Sequence, residues 1–230
     1  MRVLLIALLP VTAWAQATMP VDPLALLRQL LGPEAGFTAS AVLTGTSSND
    51  EESFVMEMDY AVLQRRVRTE GDLTTLRGAH ACDNAQDHLR DVGMDKIVAI
   101  VDPELKRNYT VYPRAGVYLD SPLDWRERLK ELTDIRKTEV GTETVDGHPC
   151  VKMRVVAVDQ MGDESELLVW EATDLNRFPI QMRFDVEQGT FILLFRDVKL
   201  TPPDITLFQP PDEFCRYTDL SKLARDYIGR

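Results

Sequence analysis

Two stretches constrain this chain more than any others. In VKMRVV (151–156) Val151, Met153 and Val155 alternate with Lys152 and Arg154. In IQMRFDV (180–186) Ile180, Met182, Phe184 and Val186 alternate with Gln181, Arg183 and Asp185. Successive side chains on a strand point to opposite faces, so each pattern describes a strand with one covered face and one wet face. FVMEMDY (54–60) repeats the device, with Phe54, Met56, Met58 and Tyr60 opposed to Glu57 and Asp59. Such alternation belongs to antiparallel sheets, because parallel ones are covered on both sides. FTASAVLTG, KIVAIVD, KRNYTVYP, ELLVWEA and TFILLFRDVKL extend the series, and RRVRTE reads as a short charged strand suited to an edge. The total is about nine to eleven strands at hairpin spacing. The expected fold is mainly β, a single large curved antiparallel sheet wrapped into an incomplete, open barrel.

Two helices punctuate this pattern. VDPLALLRQLLGP offers Asp22 as cap, Pro23 at the first helical position and Gly32-Pro33 as a stop, with Leu24, Leu27, Leu30 and Leu31 on one face and Leu26 beside them. Midway along the chain, SPLDWRERLKEL begins at Ser121-Pro122 and carries an apolar stripe of Leu123, Trp125, Leu129 and Leu132.

The first seventeen residues, MRVLLIALLPVTAWAQA, read as a cleaved export signal. Arg2 precedes an apolar core broken by Pro10, and Ala13-x-Ala15 and Ala15-x-Ala17 offer cleavage sites. That core is shorter than the roughly 20 residues a membrane span needs. With no cysteine near the cleavage points, an exported protein without a lipid anchor is expected, its domain running from 18 to 230 with no membrane span. A formal net charge of −11 without a basic cluster argues against nucleic acid and anionic lipid surfaces as partners.

The order of elements, together with KTEVGTETVDGHPCVKMRV, VWEATDLNRFPIQM, FRDVKLTPPDITLFQPPDEF and VAIVDPELKRNYTVYP, resembles a periplasmic superfamily. Its members include the lipoprotein carrier LolA, its outer-membrane partner LolB and the LolA-like domain of RseB. The second half is similar to an uncharacterised bacterial domain family within it. The resemblance implies a periplasmic, non-enzymatic carrier or sensor that holds lipid or lipoprotein acyl chains in an apolar barrel cavity. The alternative is the same fold with a filled interior, acting as an envelope interaction or scaffold module. On the carrier reading the lining is Phe54, Met56, Met58, Tyr60, Met153, Val155, Ile180, Met182 and Phe184, and the lid is the helix of Trp125, Leu129 and Leu132. The partners implied are an acyl ligand or lipoprotein and an envelope protein. No cofactor is implied. The superfamily's lid-holding arginine corresponds to Arg65 or Arg66, although the proline that follows it there is absent. Arg65, Arg66 and Arg68 otherwise read as solvated edge charges.

The two Pro-Pro-Asp triplets at 202–204 and 210–212 read as fold punctuation, since proline lacks the donor a central strand needs. Pro202-Pro203 would end a strand, Asp204 would open a turn, and Leu207 and Phe208 would tuck into the barrel mouth. Cys82, Cys150 and Cys215 allow one disulfide and one thiol, with three pairings open. The expected pair is Cys150 and Cys215, at one rim of the barrel. His80, Cys82, Asp87 and His88 match no metal spacing, so no metal site is expected, and HACDNAQDH has loop composition. In DGHPC, Asp146-Gly147 reads as a hairpin turn, and His148 and Cys150 lack the acid and oxyanion groups of a nucleophilic site. Asn108-Tyr109-Thr110 is formally a glycosylation acceptor, which the bacterial resemblance discounts.

Overall fold

The computed structural model describes residues 23–32, 34–47, 53–78, 83–123, 132–187 and 189–227. Helix α1 (Pro23–Leu31) leads into β1 (Gly36–Ser47), β2 (Ser53–Leu63), β3 (Arg66–Asp72) and the short β4 (Arg77–Gly78). Helix α2 (Asp83–Asp91) precedes β5 (Lys96–Asp102), β6 (Arg107–Tyr112) and β7 (Val117–Pro122). A second run comprises β8 (Leu132–Val145), β9 (His148–Asp159), β10 (Glu164–Ala172), β11 (Phe178–Val186) and β12 (Gly189–Lys199). The chain finishes with β13 (Cys215–Tyr217) and helix α3 (Leu220–Tyr227).

All thirteen strands form one sheet, in the order β13-β7-β6-β5-β3-β2-β1-β12-β11-β10-β9-β8, with β4 added beside β2. The sheet is mainly antiparallel and does not close, which is the open barrel that the alternating stretches predict. Among the described strands, only β13 runs parallel to its neighbour, β7. The long-range join is β1 with β12, which brings Ala41 opposite Phe195 and Leu43 opposite Leu193.

Directly opposite residues share a face, so the register sorts the side chains. One face gathers a large cluster from β1, β2, β9, β10, β11 and β12, sealed by Leu26 and Leu27 of α1. Within it Phe37, Phe178, Phe195 and Tyr60 meet edge to face, at ring separations of 5.0 to 6.3 Å, the arrangement aromatic quadrupoles favour. The same face continues over β5, β6 and β7, where Leu89 of α2 and Leu223 of α3 cover Ile97, Tyr112, Val117 and Leu119. This is the inner face. On the outer face Ala61, Val98, Ile100 and Val111 are covered by Phe208.

Several expectations need correction. Ser121 and Pro122 end β7, and Leu132 begins β8. The helix expected between them, with Trp125 and Leu129, lies outside the described residues. Strand β3 is central, between β2 and β5, not an edge. Its charges are accommodated because they pair: Arg66 donates to Asp102 at 2.9 Å, and Arg68 donates to Glu70 at 2.8 Å and to the Leu207 carbonyl at 3.3 Å. Arg66 is thus a half-buried ion-pair partner of the β5–β6 hairpin, with its pKa raised by the hydrogen bond to Asp102. The Pro-Pro segment does end β12, and Asp204 accepts from the Thr206 N–H at 2.8 Å to open a 3-10 turn at Ile205–Phe208. Phe208 then packs on the outer face and not in the barrel mouth.

Cys150 and Cys215 do not pair; both are free thiols. Cys150 sits on β9 and Cys215 on β13. Residues 83–88 of the stretch read as loop fall within α2. His80 and Cys82 lie outside the described residues.

Candidate functional site

The nine residues read as lining come from β2, β9 and β11. Eight belong to the inner-face cluster, and Phe54 packs against it. Val155, Ile180, Met182 and Phe184 are fully buried there, whereas Met56, Met58, Tyr60 and Met153 keep 6 to 8% exposure. The inner face is therefore densest beneath β9 to β11. Toward the β1–β2 end Phe54 lies across Gly45, where an added Cβ would stand 2.2 Å from the ring, and it tilts against Phe191 at 6.1 Å.

A narrow apolar cleft, too tight to admit a water molecule, lies between α1 and the sheet, lined by Leu27, Arg28, Leu31, Ala35, Phe37, Val62 and Val67. The helix is nine residues long and ends at Gly32, whose positive φ of 87° and N–H donated to the Arg28 carbonyl at 2.9 Å form a left-handed stop. So short a helix is marginal in isolation and depends on its tertiary contacts. Those are Leu26 and Leu27 in the core, with packing against β8 and β11.

A cluster of charges pins the far edge. Lys137 on β8 reaches across β9 to Glu171 on β10 at 2.7 Å, and Arg177 approaches the same carboxylate at 3.3 Å. Glu171 is buried, so this pair of cations is what allows a carboxylate to sit there. Nearby, the Trp170 indole N–H donates to Glu143 on β8, and Lys152 lies 3.1 Å from Glu143 and 4.8 Å from the Trp170 ring centroid. These contacts, the indole first and the ammonium second, hold the Glu143 carboxyl below its ordinary value of 4.5. A carboxylate titrating lower in the folded chain stabilises it above the unfolded pKa, and that contribution is lost as pH falls through the folded value. Trp170 fluorescence is therefore expected to change on acidification below about pH 4.5, and Glu143→Gln is expected to abolish that step. An unchanged titration in Glu143→Gln would show that the indole does not report this carboxyl.

The His148 and Cys150 constellation gains an acid that sequence reasoning missed: His148 Nδ1 lies 2.8 Å from Asp174. It still makes no nucleophile. The Cys150 thiol donates to the His148 backbone carbonyl at 3.3 Å, away from the ring, and burial pushes its pKa up. A thiolate is what attacks, so this site is chemically quiet. The Asp146-Gly147 turn is confirmed, with positive φ at both residues. Among the described residues no group of three His, Cys, Asp or Glu is placed to hold a metal ion. No described helix is long and apolar enough to cross a membrane.

No family model and no curated protein matches the chain. Solved structures do resemble it. The lipoprotein LppX of Mycobacterium tuberculosis has a TM-score of 0.42 at 12% identity, over 79% of this chain and 97% of its own. MucB gives 0.40 at 15% identity, over 83% of this chain and 63% of its own. A LolA superfamily protein from Nitrosomonas europaea gives 0.39 at 9% identity, over 81% and 95%. These are likenesses of fold alone, and the functional reading does not rest on them.

Proposed function

We propose that this chain is an exported, non-catalytic carrier of the envelope that binds the acyl chain of a lipid or lipoprotein between α1 and the inner face of its open barrel. The observation that carries the reading is the cleft of Leu27, Leu31, Phe37, Val62 and Val67, an apolar recess with a short helix as one wall. The cleft is too tight even for a water molecule, so a chain enters only as α1 lifts. Exposing Leu26 and Leu27 costs about 3–6 kcal/mol, and each buried methylene returns about 0.8 kcal/mol. The balance turns favourable at roughly eight methylenes, which selects long acyl chains over short ones. Methionines at 56, 58 and 153 provide a wall that adapts as the chain advances.

The test is titration with fluorescent fatty acids of increasing length. The wild type should bind long chains saturably and chains under about eight carbons negligibly, by the methylene balance above. Leu31→Trp, which fills the cleft from a half-buried position, should weaken binding at least about tenfold while the protein stays folded. Absence of saturable binding to the wild type would exclude the carrier. The dense wall of Val155, Ile180, Met182 and Phe184 would then favour the second reading, a filled envelope interaction module.

A further inference from the structure

The floor of the cleft is part of a longer row. Phe37 lies opposite Val62, Val62 opposite Val67, Val67 opposite Val101, Val101 opposite Asn108, and Asn108 opposite Ser121. Directly opposite residues share a face, so these six side chains cross six strands in one line on the inner side. The first three floor the cleft. At Asn108 the row turns polar. Only 8% of this residue is exposed, and its Oδ1 is buried with no hydrogen-bond partner in the structure. The adjacent row repeats the change of character, because Thr69 and Thr110 are buried on the same face. Farther along β6, Tyr112 also holds a buried hydroxyl without a partner. A buried carboxamide oxygen left unpaired is disfavoured, and native structures leave few such atoms unexplained.

We propose that Asn108 is a headgroup subsite, which accepts a hydrogen bond from an uncharged, hydroxyl-bearing acyl lipid whose chain lies along Val67, Val62 and Phe37. This inference rests on the carrier reading and specifies its ligand. Strands are about 4.8 Å apart, so Asn108 stands about 10 Å from Val67 along the row. That is a span which the first carbons of an acyl ester cover. The headgroup is uncharged because the buried acids of this region, Asp102 and Asp120, already hold Arg66 in one case and Arg107 and Arg216 in the other. They are one residue out of phase with Val101 and Ser121 and face outward.

The test compares a monoacylglycerol with the methyl ester of the same acyl chain, which keeps the carbonyl and lacks the hydroxyls. Displacement of a fluorescent fatty acid from the full chain reads both affinities. The wild type is expected to prefer the monoacylglycerol about tenfold, the scale of one buried hydrogen bond. Asn108→Ala should bring that ratio to about one while leaving methyl ester binding unchanged. Asn108→Leu, which is similar in shape and has no acceptor, gives a second variant if the alanine fails to fold. Equal binding of the two lipids by the wild type overturns the subsite and leaves the carrier standing. A preference that persists in either variant overturns it also. Failure of the wild type to bind either lipid overturns both readings.

Discussion

Met182→Arg is expected to prevent folding. Met182 on β11 lies opposite Val169 on β10 and Leu193 on β12, and all three are buried to within 2%. A guanidinium there meets no carboxylate, and stripping it of water costs several kcal/mol. A domain of this kind has only about 5–15 kcal/mol to lose, and steric overfilling adds a further penalty of ~1–3 kcal/mol. The variant should appear in the insoluble fraction or lack a cooperative urea transition. Met182→Leu, which conserves volume, should lose less than about 1.5 kcal/mol. A Met182→Arg protein that melts like the wild type would mean that this wall faces space and not packed side chains. The acyl site would then extend beneath β9 to β11.

Joint replacement of Lys137 and Arg177 by methionine should cost about 3–5 kcal/mol, because it strands the buried Glu171 carboxylate. Each single change should cost far less, on the order of 1 kcal/mol, because the second cation remains and both are substantially exposed to solvent. The non-additivity is itself the diagnostic. Adding Glu171→Gln to the double variant should recover most of the loss, since a neutral amide no longer carries a charge into the interior. Urea midpoints of the four variants, each set against the wild type, decide it. Additive small losses, or no recovery with glutamine, would mean that the carboxylate does not depend on these two cations.

The strands clearest in the sequence alone are those with one wet face. Strands β9 and β11 alternate because their inner residues are buried and their outer ones meet water. Strand β8 gave no such signal: it is the last in the sheet, and all fourteen of its residues are exposed or half-buried. In β7 the pattern is broken by Asp120, which is tolerated in a buried position because Arg107 and Arg216 both reach it. Helix α2 escaped notice because its described side chains are polar except Leu89, and α3 because it buries only Leu223. The prolines at 202 and 203 were read correctly as the end of a strand, since their chemistry is local. Where Phe208 would go was not legible, because that depends on which sheet face lacked cover. The lining residues were recognisable as buried, but alternation does not distinguish a wall facing a ligand from one facing other side chains. The cleft at α1 and the orphaned Asn108 oxygen needed the register.

The join between β1 and β12 sets the order in which the chain can fold. Ser40 and Arg196, which meet across this join, are separated by 156 positions, and the early outer face waits for Phe208 before it is covered. A chain made from its N-terminus therefore carries Ala61, Val98, Ile100 and Val111 uncovered until nearly the whole sequence has emerged. Long-range pairings of this kind fold slowly, because loop closure must precede the contacts that reward it. During that interval the half-built sheet offers open edges to neighbouring chains. Losing the last thirty or so residues would thus do more than shorten the protein. It would remove the cap from the first strands and leave a sheet ready to pair with its own copies.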